Sequence, residues 1–306
     1  DYGSRGRSAQ KSGQERGFVM KQVVIFVNPH KDKGFAITGQ IKEYLQQKGI
    51  ACSILLSGEK GMENFPSSDF LREPEVGADC MIVLGGDGTM LQAAWEAKGA
   101  GIPLIGVNLG TLGYMTEVEI SGLRKALDQL TEGSYKVESR MMLQGKVLFS
   151  DRTRQEDLAL NDIVIARSGS IQIMQYHIYV NGQFLNSYHA DGVIVTTPTG
   201  STGYNLSAGG PIVQPTAKLI MVTPICPHTL NQRSVIFAPE DEIEIVIPKG
   251  REGKEQTAEA SFDGKTALLL HTGDRIRVTK SEETTKIIRL NKISFLDILH
   301  QKLREN

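Results

Sequence analysis

The chain has 306 residues, of which 40% are hydrophobic and 23% are charged, so it can bury a substantial core and is long enough for two domains. Its 34 basic and 35 acidic residues leave a formal net charge of −1, which excludes a global field that attracts nucleic acid or a membrane surface. No run approaches the ~20 consecutive apolar residues of a membrane span.

Three cysteines lie far apart in the sequence and form no CxxC pair. Cys52, Cys80 and Cys226 are therefore interpreted as reduced core thiols, and we expect a cytoplasmic protein. Residues 1–19 begin with DYGSRGRSAQKSGQERGF, which lacks the apolar segment of a signal peptide. We interpret them as a disordered tail or a remnant of the expression vector, with Met20 as the true start.

Residues 20–137 alternate between two periodicities. The runs KQVVIFVNP, IACSILL, DCMIVL and IPLIGVN predict strands, and AITGQIKEYLQQKG, TMLQAAWEAKG and SGLRKALDQLTEG predict helices. The second helix is predicted to begin at Thr89, and the third to have Ser121 as N-cap and Gly133 as its stop. This alternation indicates an α/β domain with a parallel sheet.

From residue 138 to 290 short β-branched runs replace the helical period, from DIVIAR to TKIIRL. Asn181-Gly182 and Asp263-Gly264 are pairs that favour hairpin turns. This region is predicted to be an all-β, sandwich-like domain. Residues 291–306 contain SFLDILHQKL, whose apolar spacing predicts a C-terminal helix packing back on one of the domains.

The stretch CMIVLGGDGTMLQAAWE, residues 80–96, joins a strand to a helix through a glycine turn. Gly85, Gly86 and Gly88 let a ligand approach the backbone, and a helix starting near Thr89 presents N–H groups to an anion. The carboxyl end of a parallel strand is where open α/β sheets bind ligands. Neither GxxxxGK[ST] nor GxGxxG occurs here, so the turn is not a Walker A loop or a Rossmann fingerprint.

Asp87, at the tip of this turn, has three interpretations. It is a helix N-cap, a ligand for a divalent metal that bridges phosphates, or a general base that takes the proton of an attacking alcohol. The last two explain why an acid lies beside phosphates, and they favour phosphoryl transfer.

A second unusual segment is HADGVIVTTPTGSTGYNLSAGGPIV, residues 189–213. Its hydroxyls and amides suit ribose and phosphate groups, and Tyr204 offers a flat face for a base. A polar hairpin loop is the alternative, although His189 and Asp191 immediately precede the strand.

Two further acidic positions are ambiguous on their own. Asn161 and Asp162 are neighbours on a predicted strand, so they face one ligand only at a strand end or bulge. Asp263, in SFDGK, is typical of the residue before a hairpin glycine.

Together these segments resemble the NAD kinase family, which phosphorylates NAD to NADP. The resemblance runs from about residue 21 to the end through GGDGTML, GVNLGTLGYMTE, LNDIVI, DGVIVTTPTGSTGYNLSAGGPIV, TPICPHTLNQR and SFDG. GGDGT is shared with lipid kinases and phosphofructokinases, whereas the segment from Asp191 to Val213 is highly specific.

The resemblance implies NAD bound between the two domains, ATP or polyphosphate as donor, a divalent metal such as Mg²⁺, and a homo-oligomer, dimer or tetramer. It implies that Asp87 accepts the proton of the adenosine 2′-hydroxyl. The implied NAD-binding residues are Asp87, Gly88, Asn161, Asp162, His189, Asp191, Thr202, Gly203, Tyr204, Asn205, Leu206, Ser207, Asp263 and Lys265. The implied donor-binding residues are Gly85, Gly86, Thr89, Asn108 and Gly110, and no metal ligand is assigned.

The chain departs from the family pattern at four positions. Asp162 stands where Glu is usual, Gly203 where Ala is common, and His189 where Arg is frequent. The usual proline after Arg233 is missing. We expect a shorter reach at Asp162 and no permanent charge at His189.

Two other functions compete with NAD phosphorylation. A lipid or sphingoid kinase sharing GGDGT requires an exposed apolar cleft and leaves residues 191–213 unexplained. A non-catalytic sensor that binds NADP has no use for a base at Asp87.

Overall fold

The computed structural model describes residues 20–58, 70–71, 77–110, 113–169, 173–229, 233–290 and 294–304. The predicted tail, residues 1–19, lies outside these ranges. In the described ranges there is no helix with the length and apolar content that a bilayer crossing requires.

The first half is a parallel sheet covered by helices, as the sequence predicts. Its strands are β1 (Gln22–Val27), β2 (Ala51–Leu56), β3 (Phe70–Leu71), β4 (Cys80–Gly85), β5 (Leu104–Asn108) and β6 (Val118–Glu119). They lie in the order β5-β4-β1-β2-β3, and β6 also pairs with β5. The helices are α1 (Ala36–Gln47), α2 (Asp87–Glu96) and α3 (Leu123–Thr131).

Both faces of this sheet are apolar, which explains the continuous hydrophobic strands. Alternate residues of β1 face opposite cores: Val23 and Ile25 pack with α1 and α3, whereas Val24 and Phe26 pack with α2. All six residues of β4 are buried, so the strand brings the following glycine turn to a fixed position.

Two predicted helix starts are wrong. Helix α2 begins at Asp87 rather than Thr89, with Gly86 as its N-cap in an extended conformation. Helix α3 begins at Leu123, because Ser121 lies in a 3-10 turn, Ile120–Gly122, that precedes it and makes Gly122 the N-cap. Gly133 ends α3 with φ 72°, as predicted.

The second half is a β-sandwich. Its strands are β7 (Lys136–Leu148), β8 (Arg154–Ala159), β9 (Asp162–Arg167), β10 (Met174–Val180), β11 (Gln183–Ala190), β12 (Gly192–Thr196), β13 (Ile220–Ile225), β14 (Val235–Phe237), β15 (Ile243–Val246), β16 (Thr257–Phe262), β17 (Thr266–His271) and β18 (Arg275–Arg289). One sheet has the order β14-β13-β12-β9-β16-β17. A single core cluster joins it to β7, β10, β15 and β18, so the second layer is formed by those strands.

Strand β18 connects the two halves. It pairs with β7 along most of its length and, at Ile287, with Leu104 of β5 in parallel. The parallel sheet and one layer of the sandwich therefore form one continuous 12-stranded sheet. Local periodicity does not predict this continuous sheet, because the pairing of β18 with β5 joins residues that are far apart in the chain.

Two smaller elements complete the fold. Helix α4 (Tyr204–Ser207) is a single turn within the Thr/Ser/Gly-rich segment. Helix α5 (Phe295–Arg304) packs back on the α/β half as predicted: Ile298 is buried, and the Phe295 ring lies 6.3 Å from that of Tyr114.

The cysteine prediction is correct for two of the three side chains. Cys80 is buried and Cys52 is half-buried, and all three are unbridged. Cys226 is exposed, so the prediction that it is a core thiol is wrong: its backbone has φ 44°, in a turn after β13 rather than inside the sandwich.

Candidate active site

Three loops meet at the carboxyl edge of the parallel sheet, after β1, β4 and β5. The N–H of Asn28 donates to the carbonyl of Leu84 at 3.2 Å, and the N–H of Leu109 donates to the carbonyl of Gly85 at 3.1 Å. The glycine turn after β4 therefore lies between the other two loops. This is the edge at which open α/β sheets bind ligands.

The N-terminus of α2 opens into this junction. The carbonyl of Gly86 accepts the N–H groups of Thr89 and Met90 at 2.9 and 3.0 Å. The N–H groups of Asp87 and Gly88 lie in the first turn of α2, where no carbonyl of the helix is placed to accept them. Gly88 is also exposed. These N–H groups are donors suited to an anion.

Two of the predicted donor-binding residues have packing roles at this junction. Thr89 is buried, and a Cβ on Gly85 would overlap its side chain, so glycine at position 85 lets the helix start close to the strand. Asn108 is also buried: its Nδ2 donates to the carbonyl of Gly110 at 2.8 Å, and its Oδ1 accepts the N–H of Gly110 at 3.1 Å. Its amide shapes the turn after β5.

The Asp87 carboxylate is held by the loop after β5. Oδ2 accepts the N–H of Tyr114 at 2.7 Å and Oδ1 accepts that of Met115 at 2.9 Å. A Cβ on Gly113 would overlap this carboxylate. The interpretation of Asp87 as a helix cap is therefore wrong: Gly86 is the N-cap, and no side-chain cap bond forms.

Lys31, in the loop after β1, was not singled out by the sequence. Its ammonium lies 3.1 Å from the point that a Cβ on Gly86 would occupy. The sequence does show a lysine just after a buried strand, in FVNPHK. To connect that lysine with the glycine turn, however, one must know that β1 lies beside β4.

A second cluster forms where β9 begins. The Asp263 carboxylate accepts the backbone N–H groups of Leu160, Asn161 and Asp162 at 2.7, 2.8 and 3.0 Å. Asp263 has φ 49°, which Asp tolerates better than most residues. It is therefore more than a hairpin residue, because it fixes the backbone that carries Asn161 and Asp162.

Asp162 is 7% exposed and lies beside the Asp263 carboxylate. Burial, and then the charge of Asp263, raises the pKa of Asp162 to about 7. Burial also raises the pKa of Asp263, while its three amide donors and Lys265 act in the opposite direction. Two carboxyls this close and this buried are typical of a binding or catalytic site.

The Thr/Ser/Gly-rich segment lies directly on this cluster. Thr197 Oγ1 donates to the carbonyl of Leu160 at 2.6 Å, and Thr196 Oγ1 donates to that of Asn161 at 2.9 Å. Asn161 Oδ1 and Thr199 Oγ1 are buried and have no hydrogen-bond partner in the part of the chain that the structure describes. Buried polar atoms are normally paired, so these two are suited to a ligand or water.

The single turn α4 presents some predicted residues and buries another. Tyr204 and Leu206 are 45% and 39% exposed. Asn205 is fully buried: Nδ2 donates to the carbonyls of Ser201 and Pro211 at 3.2 and 3.0 Å, and Oδ1 accepts the Thr223 hydroxyl at 2.7 Å. Its amide stabilises the loop from within.

Asp191 lies close enough to Tyr204 to influence it. Burial, and then the charges of Cys226, Asp191 and Asp162, raises the pKa of Tyr204. The Asp191 carboxylate pairs with Arg167 Nε at 3.1 Å, an arginine that the sequence analysis did not single out.

Four of the remaining predicted residues are His189, Thr202, Gly203 and Ser207. His189 is half-buried on β11, opposite Gln175 of β10, and its carbonyl accepts the N–H of His228 at 2.9 Å. Thr202 ends the 3-10 turn Thr199–Thr202, and Gly203 and Ser207 are exposed.

The structure joins the two clusters through α2. Leu160 belongs to the same core cluster as Met90 and Ala93 of α2. At the other end of the helix, the Lys265 ammonium lies 4.1 Å from the centroid of the Trp95 ring, a cation–π contact. Lys265 thus connects the Asp263 turn to the helix that begins at Asp87.

No group of three or more His, Cys, Asp or Glu side chains with metal-binding geometry occurs in the described residues. Mg²⁺ is commonly held by one or two carboxylates together with substrate phosphates, an arrangement that needs no such group.

Two family models match the parts of the chain that contain the two clusters. Residues 23–135 match the family model described as the ATP-NAD kinase N-terminal domain, and residues 160–290 match that of the ATP-NAD kinase C-terminal domain. An NAD kinase of Lachnospira eligens is 45% identical over 293 residues, covering 93% of this chain and 100% of that enzyme.

Two solved structures are also similar. A yeast NADH kinase complexed with NADH has a TM-score of 0.80 at 25% identity, covering 94% of this chain and 89% of that one. An NAD kinase from Archaeoglobus fulgidus in complex with ATP has a TM-score of 0.72 at 24% identity, covering 94% and 100%, which is a likeness of fold.

Proposed function

The chain belongs to the NAD kinase family and phosphorylates NAD, and on this premise we propose that Asp87 is the general base of the transfer. The phosphate comes from ATP and is received by the 2′-hydroxyl of the adenosine ribose, giving NADP. As the 2′-oxygen attacks the terminal phosphorus, its proton passes to Asp87, the bond to the bridging oxygen breaks and ADP leaves.

The observation that supports this role is the pair of amide contacts to the Asp87 carboxylate. Each carboxylate oxygen has two lone pairs and uses one for Tyr114 or Met115, so one on each oxygen is available for a hydroxyl. Two fixed donors hold the side chain in one orientation, which reduces the reorganisation needed at the moment of reaction. The start of α2, where Asp87 is the first residue, supplies donors for the phosphates.

We propose that the donor lies over Gly86 and Gly88, with Gly85, Thr89, Asn108 and Gly110 shaping the backbone around it. Positioning and charge neutralisation supply most of the rate in phosphoryl transfer, and the glycine turn contributes backbone N–H groups to both. ATP is the donor bound by the similar A. fulgidus enzyme. Use of polyphosphate by this chain is a separate proposal.

We propose that NAD lies on the second cluster. The unpaired Asn161 Oδ1 and Thr199 Oγ1 support this assignment, as does the acidic pair Asp162 and Asp263 beside them. The residues proposed to contact or shape this site are Asp87, Gly88, Asn161, Asp162, His189, Asp191, Thr202, Gly203, Tyr204, Asn205, Leu206, Ser207, Asp263 and Lys265.

Within this set we distinguish residues that position the site from residues that contact NAD. Asn205 and Asp263 use their polar atoms inside the fold, so we assign them to positioning. Tyr204 is exposed beside the acids and is the side chain able to stack on a base.

A divalent metal remains part of the proposal. The described residues contain no cluster of three or more metal-ligating side chains, so Mg²⁺ would be held mainly by the donor phosphates, with one or two carboxylates of the chain. When bound, it neutralises phosphate charge.

We also propose a boundary near residue 137 between the α/β domain and the β-rich NAD-binding domain, and a C-terminal segment, residues 291–306, that contains helix α5. A cytoplasmic homo-oligomer, dimer or tetramer, completes the proposal.

The test is direct. The protein is incubated with ATP, Mg²⁺ and NAD, and NADP is measured with an NADP-specific dehydrogenase, with polyphosphate replacing ATP in a parallel assay. We expect NADP to form with ATP. Dinucleotide binding without NADP formation would favour the sensor alternative, and phosphorylation of diacylglycerol or a sphingoid base in place of NAD would contradict the assignment.

A further inference from the structure

We propose that Lys31 is a binding residue for the phosphate donor, supplying the positive charge that a P-loop lysine supplies elsewhere. This inference rests on the proposed function, in which the donor lies over Gly86. It adds a residue that neither the glycine turn nor the resemblance includes.

The Lys31 ammonium lies 3.1 Å from where a Cβ on Gly86 would be, so it lies against the backbone of the glycine turn. Any side chain at position 86 would occupy the space between the ammonium and the turn. Glycine there leaves this face open to a ligand that contacts both.

The loop that carries Lys31 is fixed by its own hydrogen bonds. The N–H groups of Lys31 and Asp32 donate to the carbonyl of Asn28 at 3.0 and 3.1 Å. The buried Asp32 carboxylate accepts the N–H groups of Ile37 and Thr38 at 3.0 and 2.9 Å, anchoring the loop to the start of α1. A flexible surface lysine has no such support, whereas the base of this one is held beside the turn.

The ammonium of Lys31 is absent from the ion pairs formed between described residues. The acid in the turn is Asp87, whose carboxylate accepts the N–H groups of Tyr114 and Met115. A lysine ammonium next to the positive end of α2 is an arrangement that an anion such as phosphate stabilises.

The chemistry fits the donor better than the acceptor. A triphosphate carries several negative charges that must be neutralised for a hydroxyl to attack, and lysine contacts phosphate as a compact point charge. The proposed NAD site is built on Asn161 and Asp162 at the start of β9, whereas Lys31 lies against the glycine turn after β4, where the donor is proposed to bind. Lys31 should therefore act on ATP or polyphosphate and leave NAD binding unchanged.

The experiment compares Lys31→Gln, Lys31→Arg and the matched control Lys33→Gln, an exposed lysine two residues along the same loop. NADP formation is measured with ATP varied at saturating NAD, with NAD varied at saturating ATP, and with polyphosphate as donor. Binding of inorganic tripolyphosphate to the same proteins is measured by calorimetry, and thermal unfolding checks that each variant is folded.

We expect Lys31→Gln to raise the KM for ATP, and for any polyphosphate used, by about 10- to 100-fold, with the KM for NAD unchanged. Tripolyphosphate binding should weaken in parallel, Lys31→Arg should recover most of the loss, and Lys33→Gln should match wild type.

An unchanged KM for ATP in folded Lys31→Gln would overturn the inference, and so would a rise confined to the KM for NAD. If wild-type protein forms no NADP, the proposed function fails, and the tripolyphosphate titration alone then decides. Equal binding by wild type and Lys31→Gln, or none by either, would overturn the inference.

Discussion

The Asp87 carboxylate accepts the N–H of Tyr114 at 2.7 Å, joining the first residue of α2 to the loop after β5. Gly113, immediately before Tyr114, has no side chain and leaves the space that this carboxylate fills. We therefore expect Gly113→Ala to displace Asp87 and lower kcat about 10- to 100-fold while NAD still binds. Gly122→Ala, where a Cβ meets open space, is the control, and steady-state kinetics with thermal unfolding checks both. Normal kcat in a folded Gly113→Ala variant would show that the contact does not position the base.

The carboxyl pair predicts a dependence of stability on pH. The pKa of Asp162 is raised from 3.8 to about 7, so above pH 3.8 the unfolded chain ionises this group before the folded one does. The contribution of Asp162 to the free energy of unfolding is therefore complete below about pH 3.8, falls as pH rises toward 7, and then levels off. Burial raises the pKa of Asp263 as well, so its contribution has the same sign.

We expect Asp162→Asn to remove this loss. Chemical denaturation between pH 4 and 8 should show the variant gaining stability relative to wild type as pH rises to about 7. Curves that stay parallel over that range would mean that Asp162 does not titrate there.

Asn205 provides a test of positioning against direct binding. Asn205→Ala removes three hydrogen bonds inside the loop and leaves buried polar atoms unpaired. We therefore expect a loss of about 1–3 kcal/mol in the free energy of unfolding. We also expect a higher KM for NAD, because the loop is less well positioned. Asn186→Ala, at an exposed position on β11, is the control. Raised KM with unchanged stability would indicate that the Asn205 amide contacts NAD itself.

Lys265 and Trp95 give a spectroscopic test of the link between the clusters. The chain has one tryptophan, so its emission reports the surroundings of Trp95, which include the Lys265 ammonium. Lys265→Met should shift that emission and lower the free energy of unfolding by about 0.5–1 kcal/mol, because the cation–π contact is lost. Lys125→Met, an exposed lysine on α3, should do neither. An unchanged emission in Lys265→Met would show that the ammonium does not lie over the ring in solution.

The sequence predicts the parts of this fold that depend on local burial. The strands β1, β2, β4 and β5 and the turns at Gly133 and Asp263-Gly264 follow from period and from residues that accept positive φ. The two-residue strands β3 and β6 were not predicted, because they are too short to show a period. The single sheet through β18 does not follow, because the pairing of Ile287 with Leu104 depends on long-range register. Ser121 fails as a cap for a local reason, since a 3-10 turn precedes the helix.

In the site, too, the local motif is predictable from the sequence and the long-range contacts are not. Asp87 is identifiable in the sequence because an acid between glycines at a strand–helix junction is unusual. Its amide donor Met115 lies 28 residues away, and the Asp263 clamp on Leu160 spans 103 residues, so neither contact is visible in a local motif. Lys31 was missed for a related reason, because its importance depends on the order of the strands rather than on its neighbours in the sequence.

The turnover of Asp87→Asn tests the central claim most directly. The variant keeps the size of the side chain and removes the basic carboxylate, and Asp128→Asn, a surface acid that accepts the Tyr44 hydroxyl, serves as the control. The account predicts a folded Asp87→Asn protein whose KM for NAD is close to wild type and whose kcat is lower by about 10²–10⁴-fold. Turnover equal to wild type would contradict the assignment of Asp87 as the base.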